Sequence, residues 1–517
     1  MAVFFVTLFF LLACILRITV IGMGGYANLQ SAEKSEKIKT YFVRGSIYDC
    51  NGLPITNSKL KTVAAVLPLP AAADAVLSKL SGEEYERVSK LLKSGKPAVC
   101  TVDEKIDCEG IKCIQIPVRV SSDTAAHHAI GYTDSEGNGI SGLEYAYNDL
   151  LSGNAPLTAT FATDGKGRPL LGVAPQFSGG DEKLTCAVYS TLDINVQKAA
   201  ERAAQGLLSG AVVVADCKTN KIRAMVSLPD FSPDNVAASL QTANSPLVNK
   251  CLSAYNVGSA FKPCIAAQAI KSGMSDFKTE CTGSVVFEDR LFNCHKRSGH
   301  GMMNMSSALA MSCNCYFYNL STALGAEKLR AAAGYFAFGN SIKIADNIKT
   351  ESGNIAKTEA LNSDSALANF GIGQGSTMIT PVGMLTLYSA IANGGCYYLP
   401  SLVEKTVKNG TETPYDIGKP TRAIDSETAD ILKLALREVV TSGTGVTAGS
   451  EKVTSAGKTA TAQTGRKNAD GTEITNSWFC GFFPAEDPRY TVIIMTDGKY
   501  DKSPTEVFKT LSEELSE

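Results

Sequence analysis

Apolar and polar positions change rhythm several times along this chain. Residues 2–16, AVFFVTLFFLLACIL, carry no charge. Arg17 interrupts, and ITVIG continues the run, so together they approach the roughly 20 residues needed to span a bilayer. No small-x-small cleavage site follows, and the pattern predicts an uncleaved transmembrane anchor over residues 1–24. A buried N-terminal helix is the alternative, but so long an uncharged stretch at a chain start seldom packs inside a soluble protein.

A polar, Lys/Glu-rich stalk follows over residues 28–40. Residues 41–178 mix short strand-like runs (TVAAVLPL, CIQIPVRV) with an amphipathic helical stretch, GEEYERVSKLLKSG. Gly and Pro punctuate this region, which reads as an irregular α+β module over residues 25–180. A Gly/Asp-rich loop at 178–182 marks its end. Beyond it, LTCAVYSTLD alternates like a strand and INVQKAAERAAQGLL has helical spacing. AVVVADCKTNKIRAMVS reads as a hairpin that turns at Lys218 to Lys221. A mostly helical region runs from Ser259 to about Ala392. SWFCGFFP and YTVIIMTDG are strands again. Strands at both ends of a helical middle predict one antiparallel sheet built from distant segments, with a helical subdomain, over residues 181–517. The fold class is α+β.

Composition changes this picture little. The 517 residues are 44% hydrophobic and 19% charged, enough for a large core, and the net charge is -2. No basic block with interleaved aromatics occurs, so nucleic acid is not an expected partner. Lys34, Lys37, Lys39 and Arg44 follow the apolar span while no Lys or Arg precedes it, which by charge alone would leave the bulk of the chain in the cytoplasm. Fifteen cysteines are many for an exported protein. They do not fall into paired C-x-x-C sets, so no metal site is expected from spacing. Cys281 and Cys294 flank a short stretch and could bridge; mostly free thiols in a reducing setting fit equally well.

Three short stretches carry chemistry. In NVGSAFKPCIAAQAI, Ser259 and Lys262 lie three apart on the first turn of an apolar helix, hence on one face. A serine there sits among unpaired N–H groups at the positive end of the helix. It becomes nucleophilic only if a base takes its proton, and a desolvated lysine one turn on is such a base. The same S-x-x-K spacing starts at Ser31, Ser58, Ser275 and Ser455, where a solvated surface pair is the plain reading. What separates Ser259 is the glycine before it, the apolar helix after it, and two further motifs. One is Ser312-Cys313-Asn314, a polar interruption of ALAMSCNCYFYNL. It is either a helix break with local side-chain bonds or a hydroxyl and an amide beside the nucleophile. The other is Lys458-Thr459-Ala460-Thr461 in TSAGKTATAQTG, an alternating stretch suited to an edge strand on which an extended peptide can pair. A phosphate loop is excluded there, because Lys452 stands where its first glycine would be.

S-x-x-K, S-x-N and K-T-G in this order are the set of penicillin-binding proteins and related β-lactamases. The chain resembles the class B branch of penicillin-binding proteins. The resemblance includes RGSIYDCNGLPI at 44–55, GISGLEYAYNDLLSG at 139–153, VYSTLDINVQKAAE at 188–201 and SLPDFSP at 227–233. It continues through NFGIGQG at 369–375, TPVGM at 380–384, SGTG at 442–445 and SWFCGFFP at 477–484. Cys281-Thr-Gly, Cys294 and His300-Gly301 match a segment common in this branch. The chain departs from it at Ala460, where glycine is usual, at Val257 in place of proline and at Cys50 in place of arginine. No repeat module is expected after the catalytic region.

The resemblance implies a transpeptidase domain of the penicillin-binding-protein and serine β-lactamase fold behind a non-catalytic pedestal. It implies that Ser259 attacks the D-Ala-D-Ala end of a peptidoglycan stem peptide with Lys262 as base. Ser312 relays a proton, Asn314 holds Lys262 and a substrate carbonyl, and Lys458 and Thr459 hold the terminal carboxylate. The N–H groups of Ser259 and Thr461 form the oxyanion hole, at about 3 to 4 kcal/mol per donor in comparable sites. Ala460 is expected to narrow the cleft. β-Lactams acylate Ser259, and no cofactor or metal is needed. The resemblance also implies a single-pass protein of the cytoplasmic membrane, with its catalytic domain outside and a polytopic glycosyltransferase as partner. A D,D-carboxypeptidase or β-lactamase-like hydrolase, or a β-lactam sensor or scaffold, would share the same motifs.

Overall fold

An apolar run with Val, Ile and aromatic residues and without proline favours a strand buried on both faces. The computed structural model, which describes residues 2–23, 35–41, 44–119, 124–152, 157–179, 186–467 and 471–516, contains four such strands and an alternating fifth in one sheet. They are β1 (Gly210–Asp216), β2 (Ile222–Leu228), β3 (Ala456–Lys467), β4 (Glu473–Phe483) and β5 (Tyr490–Asp497), in the order β2-β1-β5-β4-β3. All neighbours are antiparallel, with Ile493 opposite Val213 and Cys480 opposite Ile493. The sheet thus joins segments more than two hundred residues apart, and β3, which carries Lys458 to Thr461, is its edge.

The two faces of the sheet enter different cores. On one, Val212, Val214, Val492, Ile494, Phe479 and Phe483 pack with residues of α1 (Ile194–Ala203) and the C-terminal helix Pro504–Glu514. On the other, Val213, Ile493, Met495 and Trp478 join the large core of the helical region. At its centre are α2 (Lys262–Lys271), α3 (Asn314–Leu324), α4 (Asp364–Gly371) and α5 (Pro381–Ala392). Every residue of α5 is buried, and α2 is buried from Lys262 to Ala269. Helices apolar all round belong in such an interior. Both carry proline in the first turn, where φ near −65° suits the helix and no N–H is needed.

The chain divides into two units. The larger comprises Gly45–Thr56, Val120–Leu151 and Thr185–Glu517. Two segments that precede residue 180 therefore fold with the C-terminal part; the strand Ser46–Tyr48 lies parallel to Ala187–Ser190. This second strand, expected from LTCAVYSTLD, joins a separate four-stranded sheet and not the central one. The smaller unit comprises Met1–Arg44, Asn57–Arg119 and Ser152–Leu184. In it the strand Lys59–Val66 runs antiparallel between Ala98–Val102 and Ile111–Val118. Ala64 and Val66 pack with Val76, Val88 and Leu92 of the helices Pro70–Leu77 and Gly82–Lys93, while Ala65 and Leu67 pack with Ala159 and Phe161.

The N-terminal helix is Ala2–Met23, and its described side chains, Val6 to Arg17 and Thr19, are exposed. Among the described residues, no helix is long and apolar enough to cross a membrane. The described side chains of the expected span, residues 1–24, fall short of the roughly 20 required. The first part of the expected stalk, residues 28–34, and most of the boundary loop at 178–182 lie outside the described residues.

Candidate active site

The first motif forms at a junction of two helix types. A short 3-10 turn, Gly258–Phe261, runs straight into α2 at Lys262. With three residues per turn, positions i and i+3 are superposed along a 3-10 axis, so Ser259 and Lys262 face the same way. Backbone constraints hold this junction. Gly258 has φ +56°, and a Cβ there would sit 3.1 Å from Ala462 Cβ and 3.2 Å from Thr461 O. Its N–H donates to Gly373 O at 2.9 Å. Gly373 itself has φ +66°, and a Cβ on it would lie 2.3 Å from Gly258 O. The indole Nε1 of Trp478 donates to Asn256 O at 2.8 Å, and the Tyr388 hydroxyl to Ala260 O at 2.9 Å. β3, β4, α5 and the loop after α4 thus all hold the turn that carries Ser259.

Lys262 is fully buried. Its Nζ donates to Ser312 O at 2.8 Å and to Asn314 Oδ1 at 2.8 Å, and lies 3.3 Å from Ser312 Oγ. Ser312 has φ +52°, a left-handed conformation rare outside glycine. That kink ends the helix Met305–Ala310 and starts α3 two residues later, which turns the Ser312 carbonyl and the Asn314 amide toward one amine. Burial pushes Lys262 down from 10.5 to about 7, an effect opposed by nearby thiols, Cys313 first. A neutral amine has two N–H groups and one lone pair. The two carbonyl oxygens take the N–H groups, which leaves the lone pair for a hydroxyl.

Lys458 is also fully buried. Burial, and then the charge of Lys262, push its ammonium well below the usual value. Its Nζ donates to Thr459 O at 3.0 Å. Along β3 the side chains alternate: Lys458, Ala460 and Ala462 are buried, and Thr461 is exposed. Ala460 is 7% exposed and belongs to the main core, opposite Trp478, so its methyl group stands with Lys458 on the covered face. In an antiparallel strand the N–H and C=O of one residue point to the same side. Thr461 O faces Gly258, so the Thr461 N–H is directed to the open edge where Ser259 lies. The Thr459 hydroxyl is 2.7 Å from that of Thr444.

The structure therefore brings Ser259, Lys262, Ser312, Asn314, Lys458, Thr459, Ala460 and Thr461 to one place in the larger unit. Sequence reasoning assigned no role to Thr444, Gly373 or Trp478. Each lay within a stretch noticed for resemblance, but their hydrogen bonds join segments far apart in the chain. Sequence spacing also missed a cluster beside the second motif. Cys281 and Cys294 are free thiols and not a bridge. With His300 and Cys313 they form a group whose ligand atoms all lie within 4.8 Å of one another.

An edge strand, a buried lysine pair and a serine at a helix start define a serine acyl-transfer type of site. The family described as penicillin binding protein transpeptidase domain matches residues 210–513, more than half the chain. The chain belongs to this family, in its class B branch. It is 29% identical over 492 residues to stage V sporulation protein D of Bacillus subtilis, covering 88% of this chain and 74% of that protein. It is 26% identical over 409 residues to peptidoglycan D,D-transpeptidase MrdA of Acinetobacter baumannii, covering 71% of this chain and 59% of that one. Among solved structures, a D,D-transpeptidase domain from Eggerthella lenta superposes with a TM-score of 0.66 at 24% identity, over 92% of this chain and 98% of that one. Penicillin binding protein 3 of Mycobacterium tuberculosis complexed with aztreonam gives the same TM-score at 22% identity, over 93% and 96%.

Proposed function

We propose that this protein is a serine D,D-transpeptidase that cross-links peptidoglycan stem peptides and is inhibited by β-lactams. The observation that carries the reading is the Lys262 amine, held by Ser312 O and Asn314 Oδ1 one turn after Ser259.

The chemistry follows from the hydrogen bonds. The stem peptide pairs with the open edge of β3. Lys262 takes the Ser259 proton as Oγ attacks the penultimate D-Ala carbonyl. The oxyanion is met by the N–H groups of Ser259 and Thr461, at about 3 to 4 kcal/mol per donor. Thr459, set by Thr444, and Lys458 hold the terminal carboxylate. The C–N bond breaks, and the departing D-Ala amine takes a proton through Ser312. An amine of a second stem peptide then attacks the ester, loses a proton to Lys262 and releases Ser259. A β-lactam enters the same path, but its leaving amine stays tethered and blocks the second step.

The uncharged run of residues 2–16 supports a single-pass anchor in the cytoplasmic membrane with the catalytic unit outside. The smaller unit serves as a pedestal that meets a polytopic membrane glycosyltransferase; the match to stage V sporulation protein D over 88% of this chain, which reaches into this unit, supports this.

The test is labelling of the purified protein with a fluorescent penicillin, followed by peptide mapping. A stoichiometric adduct on the peptide carrying Ser259, absent from Ser259→Ala, is expected. An adduct that persists in Ser259→Ala, or rapid turnover of the penicillin in place of labelling, overturns the reading.

A further inference from the structure

Hydrogen bonds account for only part of what surrounds the Lys262 amine. Ser312 O and Asn314 Oδ1 each lie 2.8 Å from Nζ, and Ser312 Oγ lies 3.3 Å away. On a further side the amine stands over the ring of Phe317, 5.3 Å from its centroid. Phe317 is fully buried on α3. It follows Asn314 by three residues, so the amide and the ring project from one helix face toward the same amine.

The ring is held from behind. The Tyr316 ring packs across it at 71°, with centroids 5.2 Å apart. α4 closes on α3 so tightly that a Cβ on Gly371 would lie 1.8 Å from Ser321 Oγ and 3.1 Å from Phe317 O. A leucine would fill much of the same volume, so packing alone does not call for an aromatic residue here. What the aromatic adds is a π face turned to the amine.

Acylation creates a charge at this point. As Ser259 attacks, its Oγ–H bond breaks and an N–H bond forms on Lys262, so a neutral amine becomes an ammonium inside the core. A buried charge without a counter-ion is costly. Among the described residues no carboxylate bonds to Nζ. Lys458, which faces it from β3, opposes a second positive charge. Cys313, Cys294 and Cys315 stand nearby, but none bonds to Nζ. The carbonyl dipoles and the ring are left to meet the charge. The face of an aromatic ring is negative and attracts a cation within about 6 Å. A neutral amine gains little from it. The attraction therefore grows as the proton moves, and an interaction stronger in the transition state than before it speeds the step.

We propose that Phe317 is a positioning residue of the acyl-transfer reaction, whose ring face stabilises the ammonium formed on Lys262. The inference rests on the reading of Lys262 as the base and goes beyond it by naming the group that meets the charge it acquires.

The test replaces Phe317 by mono-, di- and trifluorinated phenylalanine in the full-length chain and follows acylation by a fluorescent penicillin in stopped flow. Each fluorine draws electron density from the ring face and changes its size little. The series thus reads electrostatics, where Phe317→Leu also opens space. The maximal acylation rate is expected to fall stepwise with fluorine number, and by about 2- to 30-fold in Phe317→Leu, the range for a desolvated cation on a ring, with the penicillin-binding step unchanged. Fluorination of Phe336, a fully buried ring of the same core, should leave both unchanged. A maximal rate that stays constant across the fluorinated series, a fall confined to binding, or the same fall on fluorinating Phe336 overturns the inference. Wild-type protein acylated on Ser259 with a flat series removes the role of Phe317 and leaves the transpeptidase reading standing. Wild-type protein that is not acylated overturns both.

Discussion

The pH dependence of acylation tests the chemistry most directly, because one buried amine must change protonation state to act. Lys262 is fully buried and its ammonium is depressed from 10.5 to about 7. At about 1.4 kcal/mol per unit, the shift corresponds to roughly 5 kcal/mol of penalty on the charged form. Its sign sets the outcome. Below the depressed value the amine is protonated and cannot take the Ser259 proton; above it the lone pair is free. About a tenth of the molecules carry the neutral amine at pH 6 and about nine tenths at pH 8. The second-order rate of acylation by a fluorescent penicillin, measured in stopped flow from pH 5 to 9, should therefore rise about tenfold between pH 6 and pH 8 and then level off. An unshifted lysine would be neutral in about one molecule in 3,000 at pH 7, and the rate would rise about a hundredfold over the same interval and keep rising past pH 9. That continued rise, or a profile flat from pH 5 to 8, would refute the assignment of Lys262 as base.

Other perturbations address the geometry around that amine. Asn314→Ala removes one of the two acceptors of Lys262 Nζ, and leaving a buried donor unpaired costs about 1–3 kcal/mol; acylation should fall about 5- to 150-fold with little change in melting temperature beyond that cost. Gly373→Ala forces a side chain onto φ +66° against Gly258 O, so more than about 2 kcal/mol of stability should be lost in urea unfolding, and labelling of Ser259 should fall with it. Trp478→Phe keeps an aromatic ring but deletes the bond to Asn256 O and leaves a small cavity in the core, and should lower stability by at least about 1 kcal/mol while slowing acylation. Thr444→Val removes the hydroxyl beside Thr459; weaker binding of a carboxylate-bearing β-lactam is expected with the maximal acylation rate retained, and an equal drop in both would refute its proposed positioning role.

Much of this architecture was legible along the chain. The hairpin of Ile222 and Ala215 and the strands around Trp478 and Ile493 follow from continuous apolar runs, and the edge position of Lys458 from the alternation of Thr and Ala. Ser259 and Lys262 could be paired from sequence because their neighbourhood is local, one helical turn. Rhythm alone misassigned the strand Ala187–Ser190, which has the pattern of the central sheet but pairs elsewhere. Alternation states that a strand is buried, not which strand lies beside it. Nor could spacing along the chain place Ser46 to Tyr48 with the larger unit.

Sequence by itself determined the order of the three motifs, the apolar helix that carries the nucleophile candidate, and the alternation that makes an edge strand. Only the tertiary structure decided that Lys262 meets Ser312 and Asn314, that Gly258 lies against Thr461, and that Cys281, Cys294, His300 and Cys313 share one point. The physical reason is range. Periodicity and turn chemistry act over a few residues, whereas a depressed amine and a four-donor cluster depend on burial and on contacts between segments that only the packed core brings together.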